Sequence, residues 1–142
     1  MSDPGDDVQI RPATGDDMES IGALIGPFVE NGRLLPRTSD ELSDLLPTGF
    51  VAVMDNRIVG FATLEVYSRK FCEIRSLCVA GDVQHHGIGG KLVEACVKLA
   101  RERRIFEIMV ISSEEHFFLG RGFDFTLPGE KKALFLQTRD EP

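Results

Sequence analysis

The chain has 142 residues, 42% of them hydrophobic and 27% charged, with a formal net charge of −7. Those values are typical of one soluble globular domain, near the size where folding buries about 68–70% of the unfolded surface. The acidic excess argues against general nucleic-acid binding, and no apolar run reaches the ~18 residues of a membrane span. The opening "MSDPGDD" is acidic and polar, unlike a signal or transit peptide. Residues 1–7 are therefore expected to be a disordered tail, and 8–142 a single cytoplasmic domain. Cys72, Cys78 and Cys96 are odd in number and lie in apolar stretches. They fit neither a disulfide framework nor a C-x-x-C pair, so they are expected to be buried, reduced thiols.

In chain order, "VQIRPA" predicts a short strand ending at Pro12, and "TGDD" opens a helix capped by Thr14 with Asp17 three residues on. Ile21, Leu24, Ile25 and Phe28 give that helix one apolar face. A loop, "ENGRLLPR", leads to a second capping pattern, Thr38 with Glu41, and the short helix "SDELSDLL", ended by Pro47. "GFVAVMDNRIVGFATLEVY" predicts a hairpin joined at "DNR". "FCEIRSLCVA" is the next strand, and its continuously apolar end, "LCVA", predicts the buried middle of a sheet.

After the glycine-rich stretch a helix runs from about Gly87 to Arg104, with an apolar stripe of Ile88, Leu92, Ala95, Cys96 and Leu99. "IFEIMVIS" predicts a buried strand, "SEEHFFLGR" a short helix, and "FDFTLP" and "KALFLQT" the closing strands. The order β-α-α-β-β-β-α-β-α-β-β is that of an α+β or mixed α/β fold, a central sheet covered by helices.

The three glycines of "GIGG", Gly87, Gly89 and Gly90, stand where a long helix begins. A tight strand-to-helix connection alone would use glycines for unusual backbone angles. A P-loop would need Ser or Thr where Leu92 stands, and a dinucleotide fingerprint would need glycine at that same position. Beside the purely structural connection stands a third reading, an anion cradle. The first turn of a helix presents unpaired N–H groups and a positive dipole end, and the absence of a Cβ lets a pyrophosphate come close. Gln84 adds a side-chain donor, and His85 and His86 add backbone donors. No matching carboxylate or cysteine spacing accompanies the two histidines, so no metal is expected.

"QHHGIGG", preceded by the strand "EIRSLCVA", resembles the acetyl-CoA signature [Q/R]-x-x-G-x-[G/A] of the GNAT N-acetyltransferase superfamily. The element order resembles that family from about Val8 to Thr138. "GRLLPRTSDEL", "EIRSLCV" and "HFFLGRGF" are further similar to the acetyltransferase domain of N-acetylglutamate synthases. The resemblance implies the GNAT fold, a mixed, mostly antiparallel sheet whose fourth and fifth strands splay apart to admit acetyl-CoA. It implies that the backbone of Leu77, Cys78 and Val79 pairs with the pantetheine arm. A backbone N–H near Cys78 or Val79 would stabilise the oxyanion formed on the thioester carbonyl. Gln84, His85, His86, Gly87, Ile88, Gly89 and Gly90 would hold the pyrophosphate, and Phe118 would be core or a wall of the thioester slot.

The resemblance also places Glu73 where members often carry a general base, acting directly or through water. In strict alternation Arg75 shares its face and is an alternative partner, unless a β-bulge breaks the count. Arg37, in "LLPRT", matches an arginine that would bind the acceptor's α-carboxylate, with Arg75 and Arg33 as further carboxylate contacts. Many members carry a tyrosine acid where this chain has Phe118; here the thiolate would leave unassisted or through water, or another group such as Tyr67, the only tyrosine, would serve as acid. His116 is expected to be a surface or hydrogen-bonded histidine. The implied function is acetyl transfer to a small-molecule amine, the α-amine of an amino acid such as glutamate. The alternatives are another amine (a protein N-terminus, a polyamine or a drug), a non-catalytic acyl-CoA-binding module, or a purely structural interaction domain. A homodimer is expected by analogy alone.

Overall fold

Asp55 and Asn56 both take positive φ, 51° and 63°, which makes the two-residue turn whose twist suits a tight hairpin. In this computed structural model, which describes residues 4–124 and positions 134, 136 and 138, that turn joins β2 (Gly49–Met54) to β3 (Arg57–Ser68). β1 (Gln9–Pro12) pairs with β2, and β4 (Phe71–Val79) pairs with β3, both antiparallel. β5 (Glu107–Met109) joins β4 in parallel, giving a mixed sheet in chain order. The chain divides into two compact units after Ile111. The first holds the sheet with α1 (Met18–Glu30), α2 (Ser39–Leu45) and α3 (Ile88–Glu102). The second contains α4 (Glu115–Leu119). Most of the closing strands expected in "FDFTLP" and "KALFLQT" lies outside the described residues.

Both capping patterns form. Thr38 N–H donates to Glu41 Oε1 at 2.8 Å while Glu41 N–H donates to Thr38 Oγ1 at 3.1 Å, which opens α2. Ahead of α1, Thr14 N–H donates to Asp17 Oδ2 at 2.8 Å. Arg11 holds the same carboxylate by two parallel bonds of 2.8 and 2.9 Å. One face of the sheet packs against the first two helices: Phe61 and Val51 meet Ile21, Ile25, Leu42, Leu46 and Cys78. Thr63 extends that face, its hydroxyl donating to Leu45 O at 2.7 Å.

α3 lies close against the sheet at Gly60. A Cβ built at Gly60 would stand 2.9 Å from Leu92 Cδ1, 3.2 Å from Ala52 Cβ and 3.3 Å from Cys78 O. The helix's buried stripe is Ile88, Leu92, Val93, Cys96 and Ala100. Ala95 and Leu99, expected in it, are only half-buried, because the helix is turned so that Val93 and Ala100 face inward.

Two predicted buried strands differ from expectation. In β4 Cys72, Glu73 and Ile74 are buried, and of the end expected to be buried only Cys78 is, while Leu77, Val79 and Ala80 are half-exposed. The cause is topological: β5 accompanies β4 only from Phe71 to Glu73. Beyond Glu73, β4 has no neighbour on that side among the described residues. "IFEIMVIS" yields only three strand residues, and Phe106 and Ile111 beside them are exposed.

Two outcomes follow from this packing. Gly60→Val should cost about 1–3 kcal/mol through overpacking against Leu92, read as a lower urea midpoint. Asp17 is drawn from an ordinary value of 3.8 down to about 2, chiefly by its bond to Arg11. A depressed carboxyl contributes stability that is complete above its unfolded pKa and is lost as pH falls toward the folded one. Asp17→Asn should therefore cost about 1.5–3 kcal/mol at neutral pH, and its deficit should shrink in unfolding curves recorded from about pH 5 down to about pH 2.

Candidate active site

After β4 the chain makes a single 3-10 turn, Gly81–Val83, which Arg57 holds through a bidentate pair with Asp82 at 2.8 Å. His85 and Gly87 then both take positive φ, 68° and 81°. Gly87 caps α3, and a Cβ there would meet nothing within 4 Å, so glycine is required for its backbone angle rather than for space. The first backbone bond into the helix is Lys91 N–H to Gly87 O at 3.1 Å. The N–H groups of Ile88, Gly89 and Gly90 thus lie in the first turn, where no preceding carbonyl can receive them. Ile88 and Gly90 are buried and seat that turn against the core. Gln84 has a structural partner: its Nε2 donates to Val79 O at 2.9 Å, bracing the loop against the end of β4.

Ala80 N–H donates to Val59 O at 2.8 Å. Successive amides of a strand point to opposite sides, so Val79 N–H faces away from β3, onto the open edge beside which β5 has ended. Cys78, paired with Phe61, has its amide directed toward β3. Of the two N–H donors expected for a thioester carbonyl, the outward one belongs to Val79. The Cys78 thiol is buried, and burial pushes it up to about 12, against the thiolate a nucleophile would need. Cys72 and Cys96 are likewise free and buried.

A β-bulge does occur in β4, at Ser76 with φ 56°, where the register slips between Phe61–Cys78 and Thr63–Arg75. It lies beyond Arg75, so Glu73 and Arg75 keep a common face and the guanidinium reaches the carboxylate at 3.4 Å. Arg75 also lies 3.3 Å from Glu65 Oε1. The carboxylate contact expected of Arg75 is thus made within the protein, by two carboxylates. Tyr67 donates to Glu73 Oε1 at 2.6 Å and accepts from Arg75 at 3.3 Å. Burial, and next the bond to Glu73, push the Tyr67 phenol up to about 12. Glu73 is only 5% exposed.

Sequence reasoning missed Glu65 and the Tyr67–Glu73 bond. The available signal was pairing: a tight β3–β4 connection sets Glu65 opposite Glu73 and Val66 opposite Cys72. Arg37 is half-buried just before Thr38, the cap of α2, and its Nε is buried with no hydrogen-bond partner among the described residues. Arg33 and His116 are exposed. In the second unit Phe118 is buried, edge-on to Phe117 at 4.9 Å and to Phe123 at 5.4 Å, with no hydroxyl in the group.

A family model described as Acetyltransferase (GNAT) family matches residues 18–123. The chain belongs to that family. This acetyltransferase is 28% identical over 120 residues to an uncharacterized N-acetyltransferase of Chlorobaculum tepidum, covering 84% of this chain and 77% of that one. It is 33% identical to an amino-acid acetyltransferase of Ralstonia nicotianae, covering 89% of this chain but 29% of the relative. Among solved structures it resembles N-acetylglutamate synthase from Neisseria gonorrhoeae complexed with coenzyme A and N-acetyl-glutamate, with TM-score 0.75, 29% identity, and 80% and 27% of the two chains covered. A Mycobacterium tuberculosis protein in complex with coenzyme A gives the same TM-score of 0.75 at 26% identity, over 80% of this chain and 70% of that one. The chain thus spans less than a third of the amino-acid acetyltransferase and of the synthase it matches.

Acetyl-CoA is the co-substrate of a GNAT acetyltransferase. The outward Val79 N–H and the first-turn amides behind Gly87 fit an elongated ligand with a carbonyl at one end and an anionic phosphate group further along. Among the described residues no helix is long and apolar enough to cross a membrane. In this acetyltransferase Gly87→Val should raise KM for acetyl-CoA by about 5- to 30-fold, the equivalent of the ~1–2 kcal/mol strain of a side chain at left-handed angles. Steady-state kinetics at saturating amine would read it.

Proposed function

We propose that this acetyltransferase moves the acetyl group of acetyl-CoA onto the α-amine of a small amino acid, with glutamate as the leading acceptor. The observation that carries the reading is Arg37, whose buried Nε–H lacks an acceptor among the described residues. A buried unpaired donor is costly, and an α-carboxylate would satisfy it as one arm of a bidentate guanidinium contact. α2, which begins just after Arg37, packs on the same sheet face that carries Thr63, Arg75 and Glu73. The similarity to amino-acid acetyltransferases supports the same acceptor class.

Glu73 is the base of this reading. The attacking amine must lose a proton, and Glu73, a buried carboxylate, can take it directly or through one water. The N–C bond forms, the C–S bond breaks, and the sulfur leaves with the electron pair while Val79 N–H steadies the carbonyl oxygen. Phe118 has no proton to give, and Tyr67 already donates its proton to Glu73. The departing thiolate is therefore protonated by water.

Release of CoA thiol across a panel of amines tests the proposal. Turnover of L-glutamate or another α-amino acid is expected, and Arg37→Ala should raise its KM by about 10- to 150-fold, the loss of one charge-assisted contact of ~1.5–3 kcal/mol. Turnover of polyamines with none of carboxylated amines, or an unchanged KM in Arg37→Ala, would overturn it. Acetyl-CoA binding without thiol release on any amine would identify a non-catalytic acyl-CoA module instead.

A further inference from the structure

We propose that Tyr67, Arg75 and Glu65 act as positioning residues that occupy Glu73 Oε1 and leave Oε2 as the proton acceptor. The inference rests on the reading of Glu73 as the base. Two carboxylates, Glu65 and Glu73, stand directly opposite each other across β3 and β4. Like charges so placed repel, and burial of Glu73 strengthens the effect. Arg75 relieves it from a single nitrogen, Nη1, at 3.3 Å from Glu65 and 3.4 Å from Glu73.

The donors on Glu73 are arranged unequally. Both the Tyr67 hydroxyl, at 2.6 Å, and Arg75 Nη1, at 3.4 Å, are directed at Oε1. No group among the described residues donates to Oε2. A purely structural ion pair gains most from bidentate contact, as Arg11 and Asp17 show with two bonds of 2.8 and 2.9 Å. At Glu73 one oxygen is held and the other is open. The Tyr67 ring is held in turn by stacking on Phe71, with centroids 5.4 Å apart at 23°. The Tyr67 proton is committed to Glu73 Oε1 by the 2.6 Å bond. Tyr67 therefore serves as a fixed donor to the carboxylate and not as an acid for the leaving group.

Proton transfer balances on this arrangement. The amine gives one proton to Oε2, which makes Glu73 neutral, and the carboxyl then returns that proton to water after the product leaves. The charged and titratable groups facing Glu73 among the described residues are Glu65 and Tyr67 from β3 and Arg75 from β4, while β5 sets Met109 beside it in register. Removing a donor disfavours the carboxylate, and removing a neighbouring negative charge favours it. The two changes must therefore move the acidic limb of the pH–rate profile in opposite directions, which a merely structural role would not do.

The test measures kcat/KM against pH by thiol release, with acetyl-CoA and the amine turned over fastest in the panel, for the full chain and its variants. Tyr67→Phe should lower kcat about 10- to 100-fold through a misplaced carboxylate and shift the acidic limb upward. Glu65→Gln should shift that limb downward, and Glu73→Gln should cost at least about 100-fold in kcat. If Glu73→Gln is impaired but Tyr67→Phe and Glu65→Gln leave the limb in place, or move it the same way, the positioning role is overturned while the base stands. If Glu73→Gln keeps its rate on the amine the panel identifies, or the wild-type chain releases no thiol on any amine, the base reading and this proposal fall together.

Discussion

The close approach of α3 to the sheet at Gly60 is the contact on which the site depends. With no side chain at Gly60, Leu92 Cδ1 comes within 2.9 Å of where a Cβ would stand. Ile88 and Leu92, one turn apart on the buried stripe, then anchor the start of the helix in the core. A loop of free amides held in place beforehand would bind an anion more tightly than one ordered on binding, because ordering costs affinity. Here the core does the holding. The positive φ of His85 and Gly87 and the Gln84–Val79 bond fit the loop into the short span between strand and helix.

β4 performs two tasks along its length. Its first part, Phe71 to Glu73, has neighbours on both sides and lies in the sheet interior. Among the described residues its second part has a partner on one side and offers outward backbone groups on the other. The change falls at Glu73, so a buried carboxylate sits where the sheet opens. The bulge at Ser76 comes just after it. That extra residue sends Cys78 into the core beside Phe61, and it shifts which later side chains face α2.

Two arginine–carboxylate arrangements in the same unit show how geometry separates support from chemistry. Arg11 and Asp17 form a closed fork that joins β1 to the start of α1 and lowers the carboxyl to about 2. Arg75 is instead shared among Glu65, Glu73 and Tyr67 from one nitrogen. For Arg75, burial works against the charge, but Glu73 is the largest of the influences raising its pKa, so the guanidinium stays protonated. The closed pair has nothing left to offer a substrate, whereas the shared one leaves a carboxylate oxygen open.

The signals legible in the sequence were local ones. Thr38 with Glu41 and Thr14 with Asp17 specify helix starts within four residues, and "DN" specifies a turn, because the bonds or backbone angles involved lie within the segment itself. The run from Gln84 to Gly90 is local in the same sense: a strand end, glycines and a helix start identify an anion cradle and, by resemblance, the donor acetyl-CoA. The partners that meet across strands were decided by tertiary structure. Neither composition nor alternation shows that β5 leaves β4 after Glu73, that Ser76 bulges, that Gln84 turns back to Val79, or that Tyr67 and Glu65 close around Glu73. Each depends on register between segments and on how far a neighbouring strand extends, and a one-residue slip there sends a side chain to the opposite face. The sequence by itself pointed, by resemblance, to the acyl donor and the kind of fold that holds it; only the packed sheet decided which atoms surround Glu73.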